Sequence, residues 1–439
     1  MQAHTSPPAW ERPLVGALLV LVASVLVWNA LAYPWERSYD ASGSTLYVAT
    51  LREERRLPGE DDTPVWHNPP LYYLLAAVLQ PAAEALGLAP QRGPQLLSAL
   101  AAFAVVALTW LLARELFPRR PGVRIAAPAV AAATPVLLRA GALYHPEALA
   151  TALAAAGLYV AVRGLARGTL TWRAGLAAGV LLGLANLTRT WALATLAAVL
   201  AGAALDALWR RRRASLLAAV AVAGASAALA GPWLVYKAVT YGSPLAYSQP
   251  IASQWRGSGR PASFYVDLAL GDVFSRPYAP HFSNRLLPVV YTDWWGDHWR
   301  SWEVPDRLHA APAELPARYE RPRVVQSIVG LLPTVAAAAG FVALGALALR
   351  RRNAALLALL LSGALVALAF VGFLVRYPKL DGDNIKALYV LNAVPAVAVC
   401  GGWVAAWLAS RDRLLRVLVV VALAGVLAAT LVFVALPAA

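Results

Sequence analysis

The chain has 439 residues and a formal net charge of +15, yet 60% of it is hydrophobic and only 14% is charged. Its mean hydropathy is +0.58. Soluble domains carry roughly 25% charged residues, so a soluble enzyme or a nucleic-acid-binding module is excluded, and the excess of Lys and Arg needs a topological explanation. The single cysteine, Cys400, lies in an apolar run, which excludes an intrachain disulfide and a cysteine-based metal site.

Apolar stretches of about 20 residues cross a bilayer as helices, because a helix satisfies its own backbone hydrogen bonds in lipid. The predicted fold class is therefore an all-α integral membrane protein, a single transmembrane domain over 1–439. The first uncharged run goes from Pro13 to Trp35. Ala30-Leu31-Ala32 within it looks like a cleavage site, but the run is longer than a signal core and more runs follow, so it reads as a retained anchor. The other runs occupy 94–113, 125–138, 148–162, 174–188, 190–205, 214–236, 326–349, 353–375, 387–409 and 417–439.

Basic residues gather in five short connections, Arg114 to Arg124, Arg163 to Arg173, Arg210 to Arg213, Arg350 to Arg352 and Arg411 to Arg416, 17 in all. The positive-inside rule puts all five in the cytoplasm. About 11 spans with the N-terminus inside satisfy that rule. A further run, 69–83, is interrupted by Pro81 and has to be a juxtamembrane or re-entrant helix, tolerated where protein covers it. The protein is then a multi-pass protein of the cytoplasmic membrane with its polar chemistry on the outer face.

That face carries a first outer loop with juxtamembrane helices (36–90), the turn Tyr144-His145-Pro146-Glu147, the end of a span at Asn186 to Arg189, a long outer loop (240–325), and the connection from Arg376 to Lys386. The 36–68 stretch holds seven acids against four bases, unlike the arginine-rich connections opposite. The long loop contains Trp255, Trp294, Trp295, Trp299 and Trp302. These read either as an interfacial aromatic belt or as a partly embedded lid over a sugar or lipid.

Asp40 precedes a helical pattern that ends at Leu57-Pro58. It reads as an N-cap or as a general base that takes a proton from an acceptor hydroxyl. His67-Asn68-Pro69-Pro70 ahead of Leu71-Tyr72-Tyr73 is either a helix start or the lining of a site. Glu147 falls in a first helical turn, where an acid complements the dipole, and it is also a second carboxylate facing Asp40 or a divalent cation. Oxygen ligands suit Mg²⁺ or Mn²⁺, although no cluster in the sequence is specific enough to assign a metal. Arg189, Arg376 and Lys386 are cations on the side that carries the acids; each is either a snorkelling headgroup contact or a clamp on a lipid phosphate.

Several strings, in order, resemble the polyprenyl-phosphate-sugar-dependent glycosyltransferases of the GT-C superfamily: YDASGSTLYVATL, HNPPLYYLLAA, GLANLTRTWAL, GPWLVYKAVTYGSPL, YTDWWGDHW and GDNIKALYVLNAVPAVAV. The nearest likeness is to bacterial family 39, related to protein O-mannosyltransferases and the aminoarabinose transferases of lipid A. The resemblance implies a GT-C-type bundle, a sugar donor on a polyprenyl monophosphate, an acceptor that is protein, lipid or glycan, and transfer with inversion. It implies Asp40 as the catalytic base and Glu147 as the acid of the next outer turn. Arg189 and Lys386, with Tyr389 next to the latter, are implied as donor-phosphate ligands; Arg376 is a further candidate phosphate ligand, and His67, Tyr72, Tyr389, Trp294 and Asp297 are candidate substrate-binding residues, the resemblance assigning no role to the matching Trp294-Trp295-Gly296-Asp297. The family's usual His-Pro-Pro is here His67-Asn68-Pro69-Pro70, with one residue inserted.

The rival reading is a lipid or solute transporter or flippase. Such proteins place ionisable residues or broken helices at mid-membrane, whereas these spans are free of charge and the polar residues collect on one face. That pattern favours an interfacial enzyme with membrane lipids around it and no nucleic acid.

Overall fold

The computed structural model describes residues 9–248, 260–278, 282, 284–302, 304, 315–377 and 382–435. The helices, in order, are α1 (Glu11–Ala32), α2 (Ala41–Ala49), α3 (Leu71–Ala85), α4 (Arg92–Leu116), α5 (Pro121–Ala132), α6 (Pro135–Ala140), α7 (Glu147–Ala166) and α8 (Trp172–Asn186). They continue with α9 (Ala192–Arg210), α10 (Arg213–Tyr241), α11 (Ala262–Val266), α12 (Leu270–Ser275), α13 (Leu286–Trp295), α14 (Ala317–Arg350), α15 (Ala354–Arg376), α16 (Val394–Ala409) and α17 (Arg413–Val434). A 3-10 turn, Ala387–Ala393, leads into α16. The protein is an all-helical, multi-pass membrane protein, as its composition requires.

Nine helices among the described residues are long and apolar enough to cross a membrane, counting Ala387–Ala409 as one. The other two predicted spans, 125–138 and 174–188, form shorter helices. The first is broken at Thr134-Pro135 into α5 and α6, with Pro135 at the first position of α6, where its missing N–H costs no helix bond. The second is α8, 15 residues and so about 22 Å long by helical rise. α5 packs along α16, and α8 lies between α7 and α10 with Trp172, Leu176 and Val180 on its exposed face. Gly175, Gly179 and Gly183 make the α8 approach possible, since a Cβ on Gly179 would sit 2.5 Å from the Val222 carbonyl of α10. Such small-residue spacing is the usual device where lipid supplies no hydrophobic drive between helices. The 69–83 run forms α3, 15 residues long with Pro81 inside it.

The bundle has two chemically different ends. At one, Glu115 at the end of α4 pairs with Arg167 after α7 at 2.7 Å, and Arg212 donates to Thr169 at 2.8 Å. Glu11 at the start of α1 pairs with Arg124 of α5. Thr171, Asn353 and Asp412 cap α8, α15 and α17 there through their side chains. At the opposite end lie the chain segments around Asp40, His67, Glu147, Arg189, Arg376 and Lys386. The basic and polar ends read from the sequence are therefore separate surfaces of the folded chain.

The long loop packs inward. Trp294, Trp295 and Trp302 are all buried. The Trp295 indole donates to Thr334 of α14 at 2.7 Å, and Trp302 stacks on Tyr33 at 4.7 Å. These tryptophans staple the loop to α1 and α14 and do not form the exposed belt, because their rings find apolar partners inside the bundle. Trp255 lies outside the described residues.

Candidate active site

The chain leaves α1 through an extended Tyr33 and a short turn at Trp35–Arg37, then reaches Asp40 at φ +56°. Aspartate tolerates this left-handed conformation better than most residues. The Asp40 carboxylate makes no bond to the free N–H groups of α2, so the N-cap reading does not hold. Its side chain is 41% exposed, with His145 Nε2 at 3.9 Å. α2 runs on through a π turn at Thr50–Glu54 and stops at Arg55 with φ +54°, earlier than the predicted Leu57-Pro58.

Burial is the largest influence on Asp40 and favours its neutral acid, but hydrogen bonding and charge from His145, then Lys386 and Arg189, outweigh it. The carboxyl is thereby held below the usual range. Burial also depresses the pKa of His145, so the lasting positive charge near Asp40 comes from Lys386 and Arg189. His67 is pushed down to about 3 by burial, with Arg189 and Lys237 adding to it, and it stays neutral at physiological pH.

Arg189 sits in the break between α8 and α9, which also receives the start of α3 through the Leu71 N–H on Leu187 O at 2.9 Å. Its Nε donates to Glu147 Oε1 at 2.6 Å and its Nη1 to Asn68 Oδ1. Asn68 in turn donates to the Tyr73 hydroxyl at 2.9 Å. Glu147 opens α7 and is 2% exposed, so its carboxylate faces Arg189 from behind and not the open site. A buried acid at a helix start is already favoured by the dipole, and here it keeps a buried guanidinium charged.

Lys386 Nζ lies 3.4 Å from Asp383 and 4.7 Å above the Tyr39 ring. Arg376 ends α15 with its guanidinium 5.9 Å from the centre of the Tyr377 ring. Tyr389 stacks on Trp191 at 5.6 Å. Lys237, at the end of α10, was not singled out from the sequence; its ammonium donates to His67 O at 3.1 Å and Ala246 O at 2.6 Å. Its signal was present, as a single charge closing an otherwise uncharged span on the same side as Arg189.

Asp40, His67, Asn68, Arg189, Lys237, Arg376, Lys386 and Tyr389 line one cavity of about 750 Å³. Its other wall is apolar, built from α9 and α15, with Leu193, Ala197, Leu365 and Phe373 among the lining side chains. Two carboxylates, several cations and an apolar wall in one space suit an amphiphilic anion with a reacting group next to it.

Besides Glu147, three predicted residues are not brought to this cavity. Tyr72 is fully buried, its hydroxyl 3.5 Å from Ser98 and its ring edge-on to Tyr73. Trp294 lines a separate apolar cavity of about 750 Å³ between α13, α14 and α15. Asp297 is wholly buried and engaged by Arg139 and Arg323. Hydropathy and spacing cannot distinguish a polar residue that faces a site from one that braces it. Among the described residues no three His, Cys, Asp or Glu side chains come together as a metal site. Asp40 and Asp383 are the acids on the cavity lining, and they are the residues that would hold a divalent cation together with a substrate phosphate.

The model of the dolichyl-phosphate-mannose-protein mannosyltransferase family matches residues 67–236. No curated protein sequence matches the chain. The fold is similar to that of ArnT from Cupriavidus metallidurans bound to undecaprenyl phosphate, with TM-score 0.50 and 17% identity over 97% of this chain and 74% of that one. It is also similar to the oligosaccharyltransferase AglB from Archaeoglobus fulgidus in complex with an inhibitory peptide and a dolichol-phosphate: TM-score 0.53, 16% identity, 97% of this chain and 55% of that one. An Archaeoglobus fulgidus oligosaccharyltransferase tethered with an acceptor peptide gives TM-score 0.55 at 15% identity, with 97% of this chain and 55% of that one covered. The chain thus spans about half the length of the archaeal enzyme. It is an all-helical, multi-pass membrane protein whose fold is similar to that of these enzymes, and its residues 67–236 match the model of the dolichyl-phosphate-mannose-protein mannosyltransferase family.

Proposed function

We propose that the chain is a membrane glycosyltransferase that transfers a sugar from a polyprenyl-phosphate donor to an acceptor hydroxyl at the outer face, with Asp40 as general base. The observation that carries this reading is the shared cavity: Asp40 stands with Arg189, Lys237, Arg376 and Lys386 beside an apolar wall between two spans. A lipid monophosphate matches both halves of that lining. The structural neighbours add support, since one holds undecaprenyl phosphate and another a dolichol-phosphate. The basic end of the bundle lies opposite the cavity, which by the positive-inside rule supports an outward-facing site.

The chemistry follows from the charges. Asp40 accepts the acceptor's hydroxyl proton as the oxygen attacks the anomeric carbon. The bond from that carbon to the phosphate oxygen breaks, and its electron pair leaves on the phosphate. Fixed cations stabilise the growing negative charge at no cost in reorganisation. A single displacement of this kind inverts the anomeric centre. Glu147 holds Arg189 toward the phosphate, and Tyr389 with Trp191 forms a wall on which a sugar or prenyl chain can rest.

The test incubates the purified protein with a panel of polyprenyl-phosphate sugars and offers peptide, lipid and glycan acceptors, following donor consumption. Asp40→Asn should cut turnover by about 10²–10⁴-fold while donor binding persists. Full turnover by Asp40→Asn would remove Asp40 as the base, and no consumption of any donor would remove the function.

A further inference from the structure

Four buried side chains behind the cavity, Arg139, Asp293, Asp297 and Arg323, form a cluster of two cations and two acids that the proposed chemistry does not use. We infer that this cluster aims Lys386 and Tyr39 at the donor phosphate and the base, with Asp293 and Trp299 as the positioning residues. The assignment of purpose rests on the proposed function; the positioning rests on geometry alone.

The bonds run to both sides of Lys386. Asp293 Oδ2 accepts the Ala387 N–H at 2.7 Å, and the Trp299 indole donates to Ile385 O at 3.0 Å. The backbone on each side of Lys386 is thus pinned by a side chain of the long loop. Asp293 is itself held by Arg139, which donates to its Oδ1 at 3.0 Å and its backbone oxygen at 2.6 Å. Arg139 also reaches Asp297 Oδ1 at 3.1 Å, and Arg323 closes the cluster on Asp297 Oδ2.

A second arm reaches the base. Asp297 Oδ1 accepts from both the N–H and the hydroxyl of Ser301 at 3.0 Å. Ser301 Oγ lies 3.3 Å from the Tyr39 hydroxyl, and Ser301 O accepts from Tyr33 at 3.1 Å. Tyr39 is the residue before Asp40, and its ring lies under the Lys386 ammonium. One rigid cluster therefore ties the cation side of the site to the base side. Buried ion pairs give little net stability compared with apolar packing; what this one supplies is direction, which matters because a misplacement of about 1 Å can cost about 10²-fold in rate.

The test uses the full chain with Asp293→Asn and Trp299→Phe, the second variant leaving every charge in place should the first fail to fold. Hydrogen exchange over 382–391 should quicken about tenfold in each, with or without turnover; unchanged protection there overturns the inference. With an active polyprenyl-phosphate sugar, donor KM should rise about tenfold with a smaller change in kcat. On a Lys386→Met background the same substitutions should add nothing. Additive losses, or a lowered melting temperature at unchanged KM, would reduce the cluster to a loop staple and overturn the inference. Faster exchange in a protein that turns over no polyprenyl-phosphate sugar would uphold the positioning and remove the functional reading.

Discussion

Glu147 and Arg189 are 42 residues apart in the chain and meet at 2.6 Å, both buried, with Arg189 on the cavity lining and Glu147 behind it. Glu147 is thereby the counter-charge of a cavity-facing cation. Glu147→Gln keeps the shape but leaves a buried guanidinium without its anion. It should lower stability by about 3 kcal/mol and weaken donor binding, read by thermal unfolding in detergent and by donor KM. A variant with full stability and unchanged KM would show that Arg189 does not depend on Glu147.

The pH dependence follows from Asp40. Its folded pKa is depressed, so the carboxylate is the stable form at neutral pH. It stays so even as the pH falls past the ordinary aspartate value of about 3.9. Turnover should therefore keep its base at that point and lose it only at still lower pH, while the stability contributed by the charged form begins to fall below that ordinary value. Lys386→Met removes one lowering influence, so the acid limb of the kcat profile should move upward. A limb that stays in place would separate Lys386 from Asp40.

Lys237 already gives two of its three donors to His67 O and Ala246 O. The third is available to a phosphate oxygen. A charge-assisted hydrogen bond contributes about 1.5–3 kcal/mol, so Lys237→Met should raise donor KM by about tenfold or more with a smaller effect on kcat. Equal donor KM in the variant and the wild type would place the phosphate elsewhere.

Helix packing predicts a contrast between two glycines. A Cβ on Gly179 would press the Val222 carbonyl at 2.5 Å, whereas one on Gly231 would meet nothing within 4 Å. Gly179→Ala should cost about 1–3 kcal/mol, and Gly231→Ala should be neutral or mildly stabilising. Paired melting curves decide it; equal effects would mean that α8 and α10 do not pack as described.

Topology is tested by labelling. Glu60 and Arg411 are both exposed, one on the first loop and one at the basic end, while Cys400 is buried. Glu60→Cys should react with an impermeant thiol reagent applied outside intact cells, and Arg411→Cys only after the cells are opened. The reverse pattern would turn the cavity to the cytoplasm.

Much of the site was legible because the spans limit where polar residues can go. Asp40, His67, Arg189, Arg376, Lys386 and Tyr389 were each marked by polarity at one end of an apolar run or by the family strings, and all six line the cavity. Lys237 was passed over because one lysine at the end of a span looks like a headgroup contact. Tyr72, Trp294 and Asp297 were drawn in because a motif string carries no information about which side chains turn inward.

The opening loop shows the division most clearly. By itself the sequence determined that the chain crosses the membrane many times, with a basic end and a polar end, because lipid excludes charge and leaves backbone bonding to helices. It left Asp40 open between cap and base, and Glu147 between second carboxylate and helix start. Only the tertiary structure removed the capping bond from Asp40 and gave Glu147 its partner. It turns Asp40 off its helix into the cavity, pairs Glu147 with Arg189, and braces Lys386 through Asp293. Such contacts join segments tens to hundreds of residues apart, and they form only once the helices between them have packed.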